Sequence, residues 1–365
     1  MLDTHQEFYT SVTEQLKKGA TRAALGLLGF RSDALREHLR ELLQGSPGAE
    51  NAFLADLVFE ATFGWKPADI TFGGLSKKLL HPELVNAMRK PPSSFAEEYA
   101  FPARRRPYTH QLKAWKELIE NTPPRSVLVS SGTGSGKTEC FLVPILNDLA
   151  TELTDRPGNL VGVRALFLYP LNALIKSQRD RLIAWSEPFK GRMRFCLFNG
   201  DTPREARPVW QSEIPDRRTL RNSPSPILVT NATMLEYMLV RSEDRPIIEN
   251  SQGKLRWIVI DEAHTYIGSQ AAELTLLLRR VLHAFGCSPD QVHFVATSAT
   301  IAREGGDSTK QLQEFLADVA GVNPDRVSLV HGERIEPVLP DSQRGAVQHP
   351  LDLGELRKME SEQLF

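Results

Sequence analysis

Ser126-Val-Leu-Val-Ser-Ser-Gly-Thr-Gly-Ser-Gly-Lys-Thr138 runs from an apolar, strand-like segment straight into a glycine-rich turn that ends in Lys-Thr and a helical pattern. Gly132, Gly134 and Gly136 let the backbone adopt positive φ and turn its N–H groups toward one anion, which also faces the positive end of the following helix. Lys137 adds a mobile point charge, and Thr138 a hydroxyl suited to a metal ion. The stretch Ser131, Gly132, Thr133, Gly134, Ser135, Gly136, Lys137 and Thr138 therefore reads as a phosphate-binding loop. Ser131 stands where the consensus has glycine or alanine, and keeps the small size that position needs.

From this loop outward the chain repeats one texture. Short, almost continuously apolar runs cover residues 126–130, 164–169, 194–198, 226–230, 256–260 and 293–297, separated by helical or loop segments. Strands covered on both faces have this composition, so the pattern predicts an α/β fold with a mainly parallel sheet flanked by helices. Ligands in such folds gather at the C-terminal ends of the strands, and each polar motif here directly follows one of the runs.

Trp257-Ile-Val-Ile-Asp-Glu-Ala-His264 delivers two adjacent carboxylates to the end of an apolar strand, as a Walker B segment does for a Walker A loop. Asp261 is placed to hold Mg²⁺ together with Thr138, and Glu262 to orient and deprotonate an attacking water. Ala296-Thr-Ser-Ala-Thr-Ile301 ends another strand with small hydroxyl residues that can bond the carboxylates or His264, and so relay nucleotide state.

Ser131 to Thr138, Asp261-Glu-Ala-His264 and Ser298-Ala299-Thr300 resemble, in this order, motifs I, II and III of superfamily 2 DEAD/DEAH-box helicases. The resemblance implies a RecA-like domain that hydrolyses ATP with Mg²⁺, its catalytic set being Lys137, Asp261, Glu262 and His264. Tyr108-Thr-His-Gln111 resembles the Q motif, in which Gln111 would read the adenine edge and Tyr108 stack on it. Three further stretches resemble the family's nucleic-acid loops: Pro170, Leu171, Asn172 and Ala173 with Gln178 (Ia), Asn199, Gly200 and Asp201 (Ib), and Thr230, Asn231 and Ala232 (Ic). Backbone amides and small polar side chains at strand ends can hold phosphates without reading sequence. The wording Leu-Tyr-Pro-Leu-Asn-Ala-Leu and Asp-Glu-Ala-His-Thr-Tyr-Ile-Gly268 is similar to MrfA-type bacterial DNA helicases and to the large helicase subunit of Druantia anti-phage systems. That points to DNA before RNA, to repair or antiviral defence, and to defence-system subunits as partners.

Residues 1–95 carry helical periodicity without a catalytic constellation and read as a helical accessory domain. Pro91-Pro-Ser-Ser94 marks the expected boundary, 96–335 the RecA-like domain, and 336–365 a Pro-containing linker toward a second RecA-like domain. Too few residues follow Thr300 for that second domain, and no motif VI arginine pattern occurs among them. The expectation is an N-terminal part of a longer motor that binds ATP but does not translocate alone. The alternative is an ATP-gated module that binds nucleic acid or a partner without unwinding.

Bulk composition sets wide limits. The 365 residues are 41% hydrophobic and 24% charged, with a formal net charge of -1, which argues against a uniform basic coat but permits one basic face. Arg104-Arg-Arg106 and the group Arg204, Arg207, Arg217, Arg218 and Arg221 are candidates for it, although Glu205, Glu213 and Asp216 interleave with the second. Cys140, Cys196 and Cys287 are too few and too scattered for a disulfide framework or a zinc cluster. With no signal peptide and no apolar run of membrane-spanning length, the sequence predicts a cytoplasmic protein without a membrane partner.

Overall fold

The structure is a computed structural model that describes residues 2–27, 29, 32–43, 45, 54–55, 63–132, 134–156, 158–266, 268–298 and 307–336. It divides into two compact units, one of residues up to Phe63 with those from Glu336 on, the other Gly64–Ile335.

The smaller unit contains the helices Leu2–Leu27 and Asp33–Leu43, as the periodicity predicts. Burial is sparse among their described side chains: Thr21 and Leu25, one helical turn apart, are buried, whereas Leu16, Leu27, Leu35 and Leu42 are exposed. Most of residues 53–59, part of the stretch read as helical, and the expected linker beyond residue 336 lie outside the described residues.

The larger unit is built on β1 (Ser126–Ser130), β2 (Ala165–Leu168), β3 (Phe195–Leu197), β4 (Ile227–Thr230), β5 (Trp257–Ile260), β6 (His293–Ser298) and β7 (Val327–His331). They form one sheet of order β3-β4-β2-β5-β6-β1-β7, and every neighbouring pair is parallel. The first six are the runs anticipated from sequence, to within a residue or so at their ends. The seventh strand, β7, pairs with β1.

Alternate side chains of each strand enter different cores, as the period of two requires. Val127, Val129, Phe167, Val259 and Val295 pack against Phe141, Leu142 and Ile145 of the helix Lys137–Asp155, and against Trp115 of the helix Thr109–Ile119. Leu128, Leu166, Ile258, Ile260 and Phe294 share the opposite core with Leu277, Leu278 and Val281 of Ser269–Ala284 and with Leu316 of Asp307–Ala320. Both faces are covered by apolar side chains, which is why the strands lack a polar alternation.

Where the sequence suggested a boundary near residue 95, the compact unit begins at Gly64. Phe72 and, from the helix Pro82–Arg89, Leu84 and Met88 are fully buried in the core that also holds Trp115 and Phe141. Pro91-Pro92 is thus a local break within one body, since a shared core outweighs a change in loop composition.

Parallel pairing puts the C-terminal ends of all seven strands on one edge. Within that edge the order matters: β5, β6 and β1 are adjacent, and β3, β4 and β2 are adjacent. The phosphate loop, the Asp-Glu pair and the Ser298 segment follow the first trio. The three loops resembling nucleic-acid contacts follow the second.

Candidate functional site

The phosphate loop leaves β1 at Ser131, whose amide donates to the Ser298 carbonyl of β6 at 3.3 Å. Gly134 and Gly136 take φ of 71° and 73°, the left-handed region in which only glycine is unstrained. At Gly136 there is also no room: a Cβ would lie 2.3 Å from Gln111 Nε2 and 2.8 Å from Glu139 Oε2. Lys137 Nζ donates to the Ser131 carbonyl at 3.1 Å, bridging the two ends of the loop, and the Ser131 and Ser135 hydroxyls bond each other at 2.6 Å. Thr138 stands in the first turn of the helix Lys137–Asp155. Thr133 lies outside the described residues.

The segment resembling the Q motif supports this loop from behind. Gln111 Nε2 donates to the Gly136 carbonyl at 3.2 Å, while its Oε1 accepts from the Tyr108 amide at 3.0 Å. His110 Nε2 bonds the Ser135 carbonyl at 2.8 Å, and burial lowers its pKa, so the ring stays neutral and serves as a donor. Tyr108 stacks on His110, with centroids 5.5 Å apart and 17° between planes.

At the end of β5, Asp261 is half-buried, and desolvation raises its pKa against the opposing hydrogen bond from Thr297. The Thr297 hydroxyl donates to Asp261 Oδ1 and accepts from the Glu262 amide at 3.1 Å. Glu262 takes φ 51°, a left-handed conformation uncommon for a non-glycine residue and often found where function holds strain. Its Oε2 lies 3.2 Å from His264 Nδ1. Of the three residues expected to couple, Ser298 contributes the carbonyl that receives Ser131, and Ala299 and Thr300 lie outside the described residues. Thr297, one position earlier, donates its hydroxyl to the first of the two carboxylates.

On the β3-β4-β2 half, Asn231 Nδ2 donates to Asn172 Oδ1 at 2.8 Å, tying loop Ic to loop Ia. Asn231 also caps the helix Ala232–Val240 by accepting from Met234 N at 2.8 Å. Leu171, Asn172, Ala173, Gly200 and Asp201 are exposed, and Pro170, Gln178, Asn231 and Ala232 half-buried. Asn199 and Thr230 are buried, and their bonds are internal: Asn199 Oδ1 accepts from Asp201 N at 2.9 Å, and Thr230 Oγ1 donates to the Phe198 carbonyl at 2.6 Å. They shape the loops from beneath.

Much of the arginine group after loop Ib is committed to protein. Arg217 donates to the carbonyls of Thr202 and Asn199 at 2.8 and 2.9 Å, Arg218 pairs with Glu205 at 2.9 Å, and Arg221 pairs with Asp244 at 2.7 Å. In the earlier cluster, Arg106 meets Asp69 at 3.3 Å and Arg105 lies over the Phe101 ring.

Against known proteins, the DEAD/DEAH box helicase family profile matches residues 108–307, more than half of the chain. The chain belongs to the DEAD/DEAH box helicase family. Relatives of this helicase chain include the Druantia protein DruE of Escherichia coli, 28% identical, with 60% of this chain and 17% of the relative covered. The ATP-dependent helicase hrq1 of Schizosaccharomyces pombe is 29% identical, over 75% of this chain and 22% of its own length. Among solved structures, the DUF1998 helicase MrfA bound to DNA superposes with a TM-score of 0.50 at 24% identity, covering 74% of this chain and 32% of that one. The DEAD-box helicase Mss116 bound to ssRNA gives 0.53 at 16% identity, covering 73% and 46%. These two share the RecA-like fold. The chain spans about a fifth of the length of DruE and hrq1.

Several residues that shape this helicase site carry no motif signal. Trp65 meets His110 edge to face at 5.5 Å between centroids, and the Arg334 guanidinium lies 3.5 Å from the Trp65 ring centroid. Residues 65 and 334 form an antiparallel bridge, so the wall beside Ser131 and Gly132 is made by segments far apart in sequence. Among the described residues no helix is long and apolar enough to cross a membrane, and no cluster of three or more His, Cys, Asp or Glu is arranged to hold a metal ion.

Proposed function

We propose that this chain forms the ATP-binding half of a DNA helicase or translocase motor, in which ATP hydrolysis drives movement along a single strand. The observation that carries the reading is the division of one sheet edge: the ATP-site motifs follow β5, β6 and β1, and the strand-binding loops follow β2, β3 and β4. One parallel sheet would thus connect the two binding regions, as a coupling element must.

ATP would bind with its phosphates in the amide cradle of Gly132 to Thr138, its charge met by Lys137, and its base beside Tyr108 and Gln111. Asp261 and Thr138 suit Mg²⁺, a hard cation that takes few protein oxygens and keeps several waters. When bound, the ion neutralises charge on the phosphates. Glu262, held by its amide on Thr297 and near His264, is placed to orient and deprotonate the attacking water. The strand would run over Leu171 to Ala173, Gly200 to Asp201 and Asn231, contacted through its backbone.

DNA is favoured because the motif wording resembles DNA helicases; the fold itself is shared both with MrfA bound to DNA and with Mss116 bound to ssRNA. A second RecA-like domain is the expected partner across the ATP site, with defence-system subunits as further candidates. The test is DNA-stimulated ATP hydrolysis by the full-length gene product, which should collapse in Lys137→Ala and Glu262→Gln. Unchanged hydrolysis in both variants overturns the assignment. Stimulation by RNA alone moves the substrate to RNA, and nucleotide-dependent binding without turnover makes the chain an ATP-gated module.

A further inference from the structure

We propose that Arg181 is a positioning residue that links nucleotide occupancy of the phosphate loop to the nucleic-acid loop Ia. Glu139, the residue after Thr138, holds its Oε2 against Gly136, 2.8 Å from where a Cβ there would stand. Its other oxygen, Oε1, lies 3.4 Å from Arg181 Nε. The same guanidinium donates through Nη1 to Gln178 Oε1 at 2.7 Å. Gln178 caps the helix Asn172–Ser177, whose first residue carries the bond to Asn231 of loop Ic. Three side chains therefore connect the glycine that must cradle phosphate with the segment that presents Asn172 and Ala173.

The pair is partly shielded, with the Arg181 side chain 24% and that of Glu139 15% exposed, so salt screens it less than a surface ion pair. Arg181 is also held in place: its guanidinium sits 5.8 Å from the Tyr99 ring centroid, and Tyr99 is itself fixed by the Trp185 indole donating to its carbonyl at 2.9 Å. The neighbouring Arg179 cannot substitute, because two 2.6 Å bonds commit it to Glu213. Phosphate drawn into the Gly136 turn brings negative charge close to Glu139. Like-charge repulsion favours the Glu139 position nearest Arg181, which tightens the grip on Gln178; loss of phosphate relaxes it. Arg181 itself stands outside both loops, in the helix Arg179–Ser186, and planar two-sided bonding is a task for arginine that lysine performs poorly.

This inference rests on the strand-binding reading above, and its test separates the two. Affinity for a fluorescent oligothymidylate is measured in the protein with and without AMP-PNP, and the ratio of the two affinities is the coupling. Wild type should show coupling on the order of tenfold. Arg181→Met and Glu139→Gln should each reduce it to within about twofold of unity, the double variant should lose no more than either single one, and Arg181→Lys should retain only part of it. Nucleotide-independent binding by the wild type overturns both the functional reading and the inference. Wild-type coupling that survives in Arg181→Met or Arg181→Lys, or losses that add in the double variant, overturns the inference alone.

Discussion

The Thr297 hydroxyl donates to the Asp261 carboxylate and accepts from the Glu262 amide, so one side chain at the end of β6 fixes both acidic residues that follow β5. Thr297→Val keeps the shape and removes both bonds. A hydrogen bond to a charged group is worth about 1.5–3 kcal/mol, so nucleic-acid-stimulated ATP turnover should fall about ten- to a hundredfold. AMP-PNP affinity should change much less, since the phosphate cradle is untouched. Unchanged turnover in this variant would mean that Thr297 only packs.

Gly136 and Gly134 share a left-handed backbone but not their surroundings. Alanine at either position incurs a strain of about 1–2 kcal/mol. Only at Gly136 does the new methyl also collide with the Gln111 amide and the Glu139 carboxylate; at Gly134 nothing lies within 4 Å. Calorimetric titration with AMP-PNP should show Gly136→Ala binding on the order of tenfold more weakly than Gly134→Ala, as expected for a further 1.4 kcal/mol or so. Equal losses would contradict the packing argument.

Glu152 lies at the opposite edge of the sheet, between Arg164 at 2.6 Å and Arg256 at 2.8 Å. Burial acts to raise its pKa, but the hydrogen bonds and charges of the two arginines together hold it down, from an ordinary 4.5 to about 2. A depressed carboxylate contributes stability that is complete above its unfolded pKa and is lost as pH falls toward its folded one. Stability should therefore decline between about pH 4.5 and about pH 2. Glu152→Gln should be less stable than wild type at pH 7, with the gap closing through that window in urea titrations. A gap independent of pH would show that the arginines do not hold the ionised form.

Trp65 packs on His110 and under Arg334, and its truncation should cost about 3–5 kcal/mol, the usual range for a buried aromatic residue. Trp65→Phe, which keeps a ring face for the cation, should recover much of this. The check is the midpoint of urea unfolding together with AMP-PNP affinity, because loosening His110 also frees the Ser135 carbonyl that it holds. An alanine variant as stable as wild type would remove Trp65 from the wall of the site.

The residues by themselves determined the class of the fold and named the candidates for its phosphate loop and carboxylate pair. Six of the seven strands among the described residues were legible because a strand buried on both faces must be apolar throughout; Gly136, Lys137, Asp261 and Glu262 stood out as candidates because phosphate and metal chemistry favours those types at strand ends. Local spacing could not reveal which strands are neighbours. Only the tertiary structure put β6 between β1 and β5, so that Thr297 meets Asp261. It also drew residues 64–95 into the main core, brought Trp65 and Arg334 together beside Gly132, and set Glu139 against Arg181. These are contacts between segments distant in sequence, made by side chains whose types are common and whose meaning comes from what they face.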